Sequence, residues 1–292
     1  MEQKRVIILL ADISGYTKFM LDSRQSAVHG QVIINMLIEA ILAEVDIPLV
    51  LQEIEGDAVF LYAADPGSET DWQRVVDEVG RKLDRFFVAF IARSGVLVES
   101  TPCPCAICAN SDQLGLKIIV HAGEAMFHSI AGRPQVSGAD VILAHRLLKN
   151  SLTSREYLLL TEQAFTLMGA RLSGHFEHRK ERYDGFDEVK VRVRFLTDDV
   201  LKARDAVYQL SEQDLQHAVN DYADGVGANI STAIRQQWRQ PARDFGWWQK
   251  TLMVLDYLQM KLALPAMRRE IPRQQRARGR RRTTFGNQGS TG

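Results

Sequence analysis

Residues 5–17 read RVIILLADISGYT, an apolar run that ends at Asp12 and is followed by a short Ser-Gly-Tyr-Thr turn. A continuous apolar run of this length is typical of a strand that is buried on both faces. Beyond the turn, apolar residues recur at helical spacing from Val32 to Val45, which predicts an amphipathic helix. The chain is therefore predicted to open with a buried strand, an acidic residue, a turn and a helix.

Short strands alternate with helices in the residues that follow. Residues 49–54 and 58–63 are predicted strands joined by a tight hairpin at Glu55-Gly56-Asp57, where glycine can take a positive φ. Helices are predicted at 72–91 and 139–148, and strands at 116–123, near 124–130, at 156–160 and at 189–196. A Gly-Arg-Pro loop is expected before Gly138. Strand pairs interleaved with helices favour an α+β fold over a doubly wound parallel sheet.

The composition is that of a soluble globular chain, with 46% hydrophobic and 25% charged residues. Its formal net charge is zero, but residues 268–292 hold eight Arg against one Glu, so this tail carries +7 and the rest −7. A basic excess confined to a tail argues against a nucleic-acid-binding domain. No apolar run reaches 18 residues, and the apolar run after the first five residues is too short for a signal peptide, so the expected location is the cytoplasm.

Three regions follow from the change of character along the chain. Residues 1–197 are predicted to form the folded α+β domain. Residues 198–267 are rich in Ala, Gln, Asp and Leu and are predicted to be a helical extension. Residues 268–292 contain few apolar groups and are predicted to be a disordered, Arg-rich tail.

Two acidic residues follow or join the predicted buried strands. Asp12 comes directly after the first strand, and Asp57 lies at the tip of the 49–63 hairpin. If the hairpin pairs with the first strand, the two carboxylates meet at one edge of the sheet. Adjacent carboxylates repel each other, and such hard oxygen ligands favour Mg²⁺ or Mn²⁺. The alternative is that Asp12 caps the following helix and that Asp57 only forms a turn.

Four segments resemble the motifs of class III adenylate and guanylate cyclases. Residues 11–17, ADISGYT, resemble the opening metal motif, and residues 53–58, EIEGDA, resemble the second one. Gly123-Glu124-Ala125, and Gly138 with Arg146-Leu147, resemble the family's glycine-rich hairpin and the helix that follows it. The four occur in the family's order within residues 5–196. The chain is also similar to a bacterial cyclase-like family of unassigned function, which carries a Cys-x-Cys-x-x-Cys segment before a His-Ala-Gly strand.

The resemblance implies a ferredoxin-like βααββαβ domain that acts as a homodimer and binds a nucleoside triphosphate across the dimer interface. Asp12, Asp57 and the carbonyl of Ile13 would hold two Mg²⁺ or Mn²⁺ ions, and Arg146 would stabilise charge in the transition state. The remaining implied positions are the phosphate-binding turn of Ser14, Gly15, Tyr16 and Thr17 and the base-reading residues Glu53 and Gln135. The product would be a 3′,5′-cyclic nucleotide together with pyrophosphate.

Two departures from the family's pattern are evident. Ile142 stands four residues before Arg146, where the family has an Asn that orients the ribose. The family's late phosphate-binding Lys has no clear counterpart, although Lys180, Arg182 or Lys190 are substitutes to consider. These departures leave two hypotheses open. One is a nucleotide cyclase, and the other is a catalytically degenerate domain that binds nucleotide or metal without turnover.

The three cysteines form one cluster, Cys103, Cys105 and Cys108. Thiolates at this spacing can hold Zn²⁺, with His121 or His128 as a fourth ligand. The alternative is a set of three reduced loop cysteines, or a redox-sensitive cluster. The odd number does not form a disulfide framework.

The last apolar helix predicted from the sequence contains Trp247 and Trp248 and precedes the Arg-rich tail. Aromatic and apolar groups beside basic residues can bind an anionic membrane surface. The favoured interpretation is that this helix packs on the folded domain or on a partner subunit, with a solvated tail. Peripheral membrane contact is the alternative.

Overall fold

The computed structural model describes residues 1–21, 27–100 and 110–196. The cysteine cluster, the predicted helical extension and the Arg-rich tail lie outside these residues, so their predictions stay predictions. The chain divides into two compact units. Within the described residues, the first contains 1–18, 36–93 and 113–196, and the second contains 19–21, 27–35, 94–100 and 110–112.

The helices and strands keep the predicted order, with two further elements that were not predicted. The first seven are β1 (Glu2–Ser14), α1 (Tyr16–Leu21), α2 (Ala27–Leu42), β2 (Val50–Glu55), β3 (Ala58–Ala64), α3 (Glu69–Ser100) and β4 (Gly115–Ile130). They are followed by β5 (Arg133–Ser137), α4 (Ala139–Leu147), β6 (Tyr157–Thr161), α5 (Glu162–Met168), β7 (Glu177–Glu181) and β8 (Val189–Phe195). The first seven elements read βααββαβ, so the predicted α+β fold class is confirmed.

One mixed sheet holds the eight strands of the described chain. Its order is β2-β3-β1-β4-β6-β8-β7, with β5 paired to β4 off this path. β1 lies between β3 and β4 and is antiparallel to both, whereas β4 and β6 run parallel. The predicted hairpin therefore does lie beside the first strand. No helix among the described residues has the length and apolar character needed to cross a membrane.

β1 is buried on both faces, as its apolar run predicts. Val6, Ile8 and Leu10 belong to the cluster that packs with α4, and we call this side of the sheet the α4 face. The residues between them, such as Ile7 and Leu9, are also 0% exposed. Since successive side chains of a strand point to opposite faces, both faces of β1 are covered.

Two local predictions were wrong, and two elements were not predicted. Residues 116–130 were expected to form two paired strands, but β4 is a single strand of 16 residues whose partner is β5. Arg133 and Pro134 therefore lie in a strand and not in a loop. β7 has the sequence EHRKE and forms an edge of the sheet, so no apolar alternation marked it. The short α5 was also missed, although the Thr161 side chain caps its start by accepting a hydrogen bond from Ala164 N.

Candidate functional site

The β1–β3 register brings Asp12 and Asp57 to the same end of the sheet. Asp12 is paired with Ala58, and Asp57 precedes Ala58 in the β2–β3 turn. The turn depends on Gly56 at φ 66°, and it is tied to β1 by a 3.2 Å hydrogen bond from Ile13 N to the carbonyl of Asp57. Asp12 points to the α4 face because it lies two residues after Leu10.

The electrostatics of this turn indicate that the two carboxyl groups lie close to each other. Burial, followed by the negative charge of Asp12, raises the pKa of Asp57 to about 6. A backbone hydrogen bond and the charge of Lys117 oppose this shift. Two partly desolvated carboxylates at one place favour a bound cation.

Lys117 is a third member of the site, and it was not predicted from the sequence. It is paired with Asp12 across β1 and β4, and its Nζ lies 2.8 Å from Asp12 Oδ2. The side chains are 19% and 14% exposed. The ammonium also donates a 3.2 Å hydrogen bond to the carbonyl of Leu148, just after α4. Only the strand register could have revealed this pair, since Lys117 is more than a hundred residues from Asp12.

The two carboxylates fit a hard divalent cation whose coordination is completed by other ligands. Asp12 and Asp57 supply carboxylate oxygens, which Mg²⁺ and Mn²⁺ prefer. No group of three or more His, Cys, Asp or Glu side chains is arranged to hold a metal ion in the part of the chain that the structure describes. The carbonyl of Ile13 stays a predicted ligand. Any further oxygens would come from water and from a substrate's phosphates, as is common for Mg²⁺.

The predicted phosphate-binding turn follows the acidic residue directly. β1 ends at Ser14, Gly15 has φ 88°, and α1 begins at Tyr16. A Cβ at Gly15 would lie 3.1 Å from the carbonyl oxygen of Gln113, so both conformation and space favour glycine here. The backbone of residues 14–17 therefore lies beside the carboxylate pair. Its phosphate-binding role remains a prediction.

The predicted base-reading residues lie on neighbouring segments. Glu53 is exposed and is paired with Phe60, a member of the α4-face cluster, so Glu53 is on the same face as Asp12. Gln135 lies in β5. The Nε2 of Gln52 donates a 3.2 Å hydrogen bond to the carbonyl of Pro134, which brings the two segments together.

Arg146 and Ile142 are both exposed and lie one helical turn apart on α4. Within the described residues, no ion pair joins Arg146 to a carboxylate, including Asp12 and Asp57. Ile142 is 54% exposed although it is apolar. The structure therefore brings together Asp12, Asp57 and the 14–17 turn, and it places Arg146 in solvent on a separate helix.

The cations considered as substitutes for the missing late Lys do not lie beside the carboxylate pair. Lys180 and Lys190 are paired across β7 and β8. The neighbour of Lys190, Val191, belongs to the α4-face cluster, so Lys190 and its partner point to the opposite face. Lys180 and Arg182 also form ion pairs with Glu188, at 2.7 and 3.0 Å.

A partly buried hydrogen-bond network holds the start of α4. The Nε2 of His121 lies 2.9 Å from Asp140 Oδ1, and its Nδ1 lies 2.9 Å from Thr161 Oγ1. Asp140 Oδ2 accepts a 2.7 Å bond from the backbone N–H of Glu124. The His121 hydrogen bond, together with this backbone bond, lowers the pKa of Asp140 against the effect of burial. Both ring nitrogens of His121 are engaged, so it is not available as the fourth zinc ligand.

The network explains the glycine of the His-Ala-Gly segment. A Cβ at Gly123 would lie 2.3 Å from Asp140 Oδ2 and 2.4 Å from its Cγ. The carboxylate thus occupies the volume that any larger residue needs. From the sequence alone, this glycine was predicted only as part of a hairpin motif.

Comparisons with known proteins give one family match and several structural likenesses. Residues 34–157 match a family described as "Protein of unknown function (DUF2652)". The chain is 35% identical over 112 residues to an uncharacterized protein of Mycobacterium tuberculosis. That match covers 38% of this chain and 50% of the relative, so the chain spans about half the relative's length.

Among solved structures, the chain is similar to the guanylyl cyclase Cya2, with 15% identity, 66% of this chain and 92% of that chain covered, and a TM-score of 0.47. It is also similar to the adenylyl cyclase CyaB from P. aeruginosa, with 16% identity, 66% of this chain and 95% of that chain covered, and a TM-score of 0.44. A bacterial light-regulated adenylyl cyclase is 12% identical, with 72% of this chain and 99% of that chain covered and a TM-score of 0.49. Similarity at this level does not show which ligand or reaction this chain has.

Proposed function

We propose that residues 1–197 form a metal-dependent nucleotide-binding domain that converts a nucleoside triphosphate to a 3′,5′-cyclic nucleotide and pyrophosphate. The observation that carries this proposal is the carboxyl pair, in which burial and the charge of Asp12 raise the pKa of Asp57 to about 6. The motif order Asp12, Asp57 and Arg146 supports it further. Paired acids that are costly to hold together favour a function that uses their charge.

Each residue of the site has a distinct task in this proposal. Asp12 and Asp57 would hold Mg²⁺ or Mn²⁺, which supplies Lewis-acid chemistry at the ribose 3′-hydroxyl and the phosphates. Backbone N–H groups between Ser14 and Thr17 would bind phosphate oxygens, and Arg146 would stabilise the charge that develops on the phosphates.

The base would be contacted by residues of β2 and β5. Glu53 and Gln135 are the positions for this contact, and the hydrogen bond from Gln52 to the β5 segment supports their proximity. Ile142 cannot hydrogen-bond to a ribose. Losing one preorganised polar group costs about 10²–10³-fold in turnover, so slow catalysis is expected.

A homodimer would complete the site. Arg146 forms no ion pair with Asp12 or Asp57 among the described residues, and a second copy would supply an arginine to the carboxylate pair across an interface. Ile142 and Val50, at 54% and 45% exposure, are apolar groups that such an interface would cover. Light scattering on the full chain tests this part, and a monomer at all concentrations with undiminished activity would contradict it.

The second candidate function is a binding module that senses nucleotide or metal without turnover. Ile142 in place of a ribose-binding residue favours it, as does the position of Lys180 and Lys190 on the opposite face of the sheet. Both functions require nucleotide or metal to bind at Asp12 and Asp57. They differ in whether a product forms.

One assay separates the two functions. Purified full-length protein is incubated with each nucleoside triphosphate and Mn²⁺, and cyclic product is measured alongside nucleotide binding. Asp57→Asn removes one of the two carboxylate charges of the site. Asp184→Asn, at an exposed loop residue, is the matched control. Product that is lost only in the first variant supports the cyclase. Binding without product supports the sensor, and neither binding nor product in the unmodified protein refutes both.

A further inference from the structure

The ion pair between Lys117 and Asp12 introduces an internal cation into the carboxylate site. The ammonium lies 2.8 Å from Asp12 Oδ2, and its charge also acts on Asp57. A lysine that only solubilised the surface would extend into water, whereas this side chain is 19% exposed. Its position beside two carboxylates therefore depends on their negative charge.

One ammonium does not neutralise two ionised carboxylates. The pair with both acids ionised carries −2 and Lys117 carries +1, which leaves a net attraction for further cations. A divalent cation held by Asp12 would lie close to the ammonium, and like charges at that distance repel. The ammonium and the divalent cation therefore oppose each other at the same carboxylate.

The carbonyl of Leu148 gives the ammonium a second position. It accepts a 3.2 Å hydrogen bond from Lys117 Nζ, and it lies at the C-terminal end of α4, where the helix dipole favours a cation. If Lys117 moves away from Asp12, it keeps this bond. Displacement is therefore less costly than the loss of a buried ion pair to an apolar environment would be.

We propose that Lys117 is the internal counter-ion of the Asp12–Asp57 pair and competes with divalent cations for Asp12. This inference rests on the proposed metal-dependent function. Because of this competition, a higher concentration of divalent cation is needed for binding. A bound triphosphate lowers that concentration, because its phosphates offer the displaced ammonium a new anionic partner. The lysine is a positioning and regulatory residue rather than a catalytic one.

The test is a Mn²⁺ titration of the full chain without nucleotide, with free Mn²⁺ measured by electron paramagnetic resonance. Lys117→Met removes the charge, and Lys117→Arg retains it. Lys190→Met is the matched control, since Lys190 is exposed and lies on the opposite face. Asp57→Asn shows whether the bound ions are at the carboxylate pair.

The expected result is that Lys117→Met binds Mn²⁺ about tenfold or more tightly, within the range by which groups around a metal site change its affinity. Lys117→Arg and Lys190→Met should bind like the unmodified protein. Adding a non-hydrolysable triphosphate should reduce the difference in Mn²⁺ affinity between Lys117→Met and the unmodified protein.

Two outcomes overturn the inference while leaving the metal site intact. One is an unchanged affinity in Lys117→Met, and the other is a weaker one, with Asp57→Asn abolishing binding in both cases. If neither the unmodified protein nor any variant binds Mn²⁺, with or without nucleotide, the proposed function itself fails. If Lys117→Met folds poorly without metal, the rise of its melting temperature with Mn²⁺ is the second measurement. A rise no larger than in the unmodified protein contradicts the competition.

Discussion

Replacing Gly123 by Ala tests the hydrogen-bond network at the start of α4. The new Cβ would lie 2.3 Å from Asp140 Oδ2 and 2.9 Å from Oδ1, closer than real Cβ contacts. Gly123 pairs with Val6 inside a continuous ladder between β4 and β1, which limits how far its backbone can shift. We expect the Asp140 carboxylate to move instead, which breaks its bonds to His121 and to the backbone of Glu124.

The size of the effect follows from these two bonds. A hydrogen bond to a charged group contributes about 1.5–3 kcal/mol. The carboxylate of Asp140 is 34% exposed, so water replaces part of what it loses. The imidazole of His121 is 2% exposed and loses a partner that water cannot easily replace. Replacing Gly also lowers the entropy of the unfolded chain, which offsets about 0.4–1 kcal/mol. The expected net loss of unfolding free energy is about 2–4 kcal/mol.

Urea unfolding of Gly123→Ala, Asp140→Ala and the double variant measures this loss. The double variant should be no less stable than Asp140→Ala alone, because the clash and the broken bonds share one cause. Gly80→Ala is the matched control, since its Cβ would lie 3.7 Å from Arg171 in ordinary contact. Helix propensity predicts that this control is more stable by about 0.5–1 kcal/mol. A Gly123→Ala variant within about 0.5 kcal/mol of the unmodified protein, or strict additivity with Asp140→Ala, refutes the reasoning.

Three further predictions concern charge and the proposed nucleotide site. The pKa of Asp57 is about 6, above its unfolded value, so this group should favour the folded state below pH 4 and lose that contribution as the pH rises through 6. Urea unfolding without divalent ions between pH 4 and 8 measures this, and Asp57→Asn should flatten the dependence; an identical profile would contradict it. Ile142→Asn should raise cyclic product formation about tenfold or more at little cost in stability, because Ile142 is exposed; an unchanged rate in a folded variant would count against the ribose role. Lys82 is buried, and burial is the main cause that lowers its pKa. Its ammonium pairs with the exposed Asp46. Lys82→Met should therefore be neutral or stabilising in thermal unfolding, and a loss above about 2 kcal/mol would show that the buried charge is needed.

The carboxylate pair could be predicted because each acid is next to a local pattern. The apolar run before Asp12 and the glycine before Asp57 predict a strand end and a tight turn, and two short strands with such a turn pair with a neighbouring strand. The network at Asp140 could not be predicted, because His121 and Thr161 are 40 residues apart. A buried histidine has many possible partners, and only packing selects one of them.

Local periodicity was sufficient for the strands and helices with apolar faces, since burial of those faces dominates their free energy. β7 lacked this signal because an edge strand of polar residues is held by its backbone pairing with β8. The same limit applies to β4, where Gly123 and Glu124 resemble a turn but lie within one long strand.

The amino-acid sequence alone was enough for the α+β class, for the hairpin and for two acids at the ends of buried strands, because each depends on neighbours within a few residues. Tertiary structure was needed to bring Lys117 beside Asp12, to turn Lys180 and Lys190 to the opposite face, and to fit Asp140 against Gly123. These contacts depend on strand register and on which face a residue occupies. A shift of one residue would reverse them without any change in composition or local pattern.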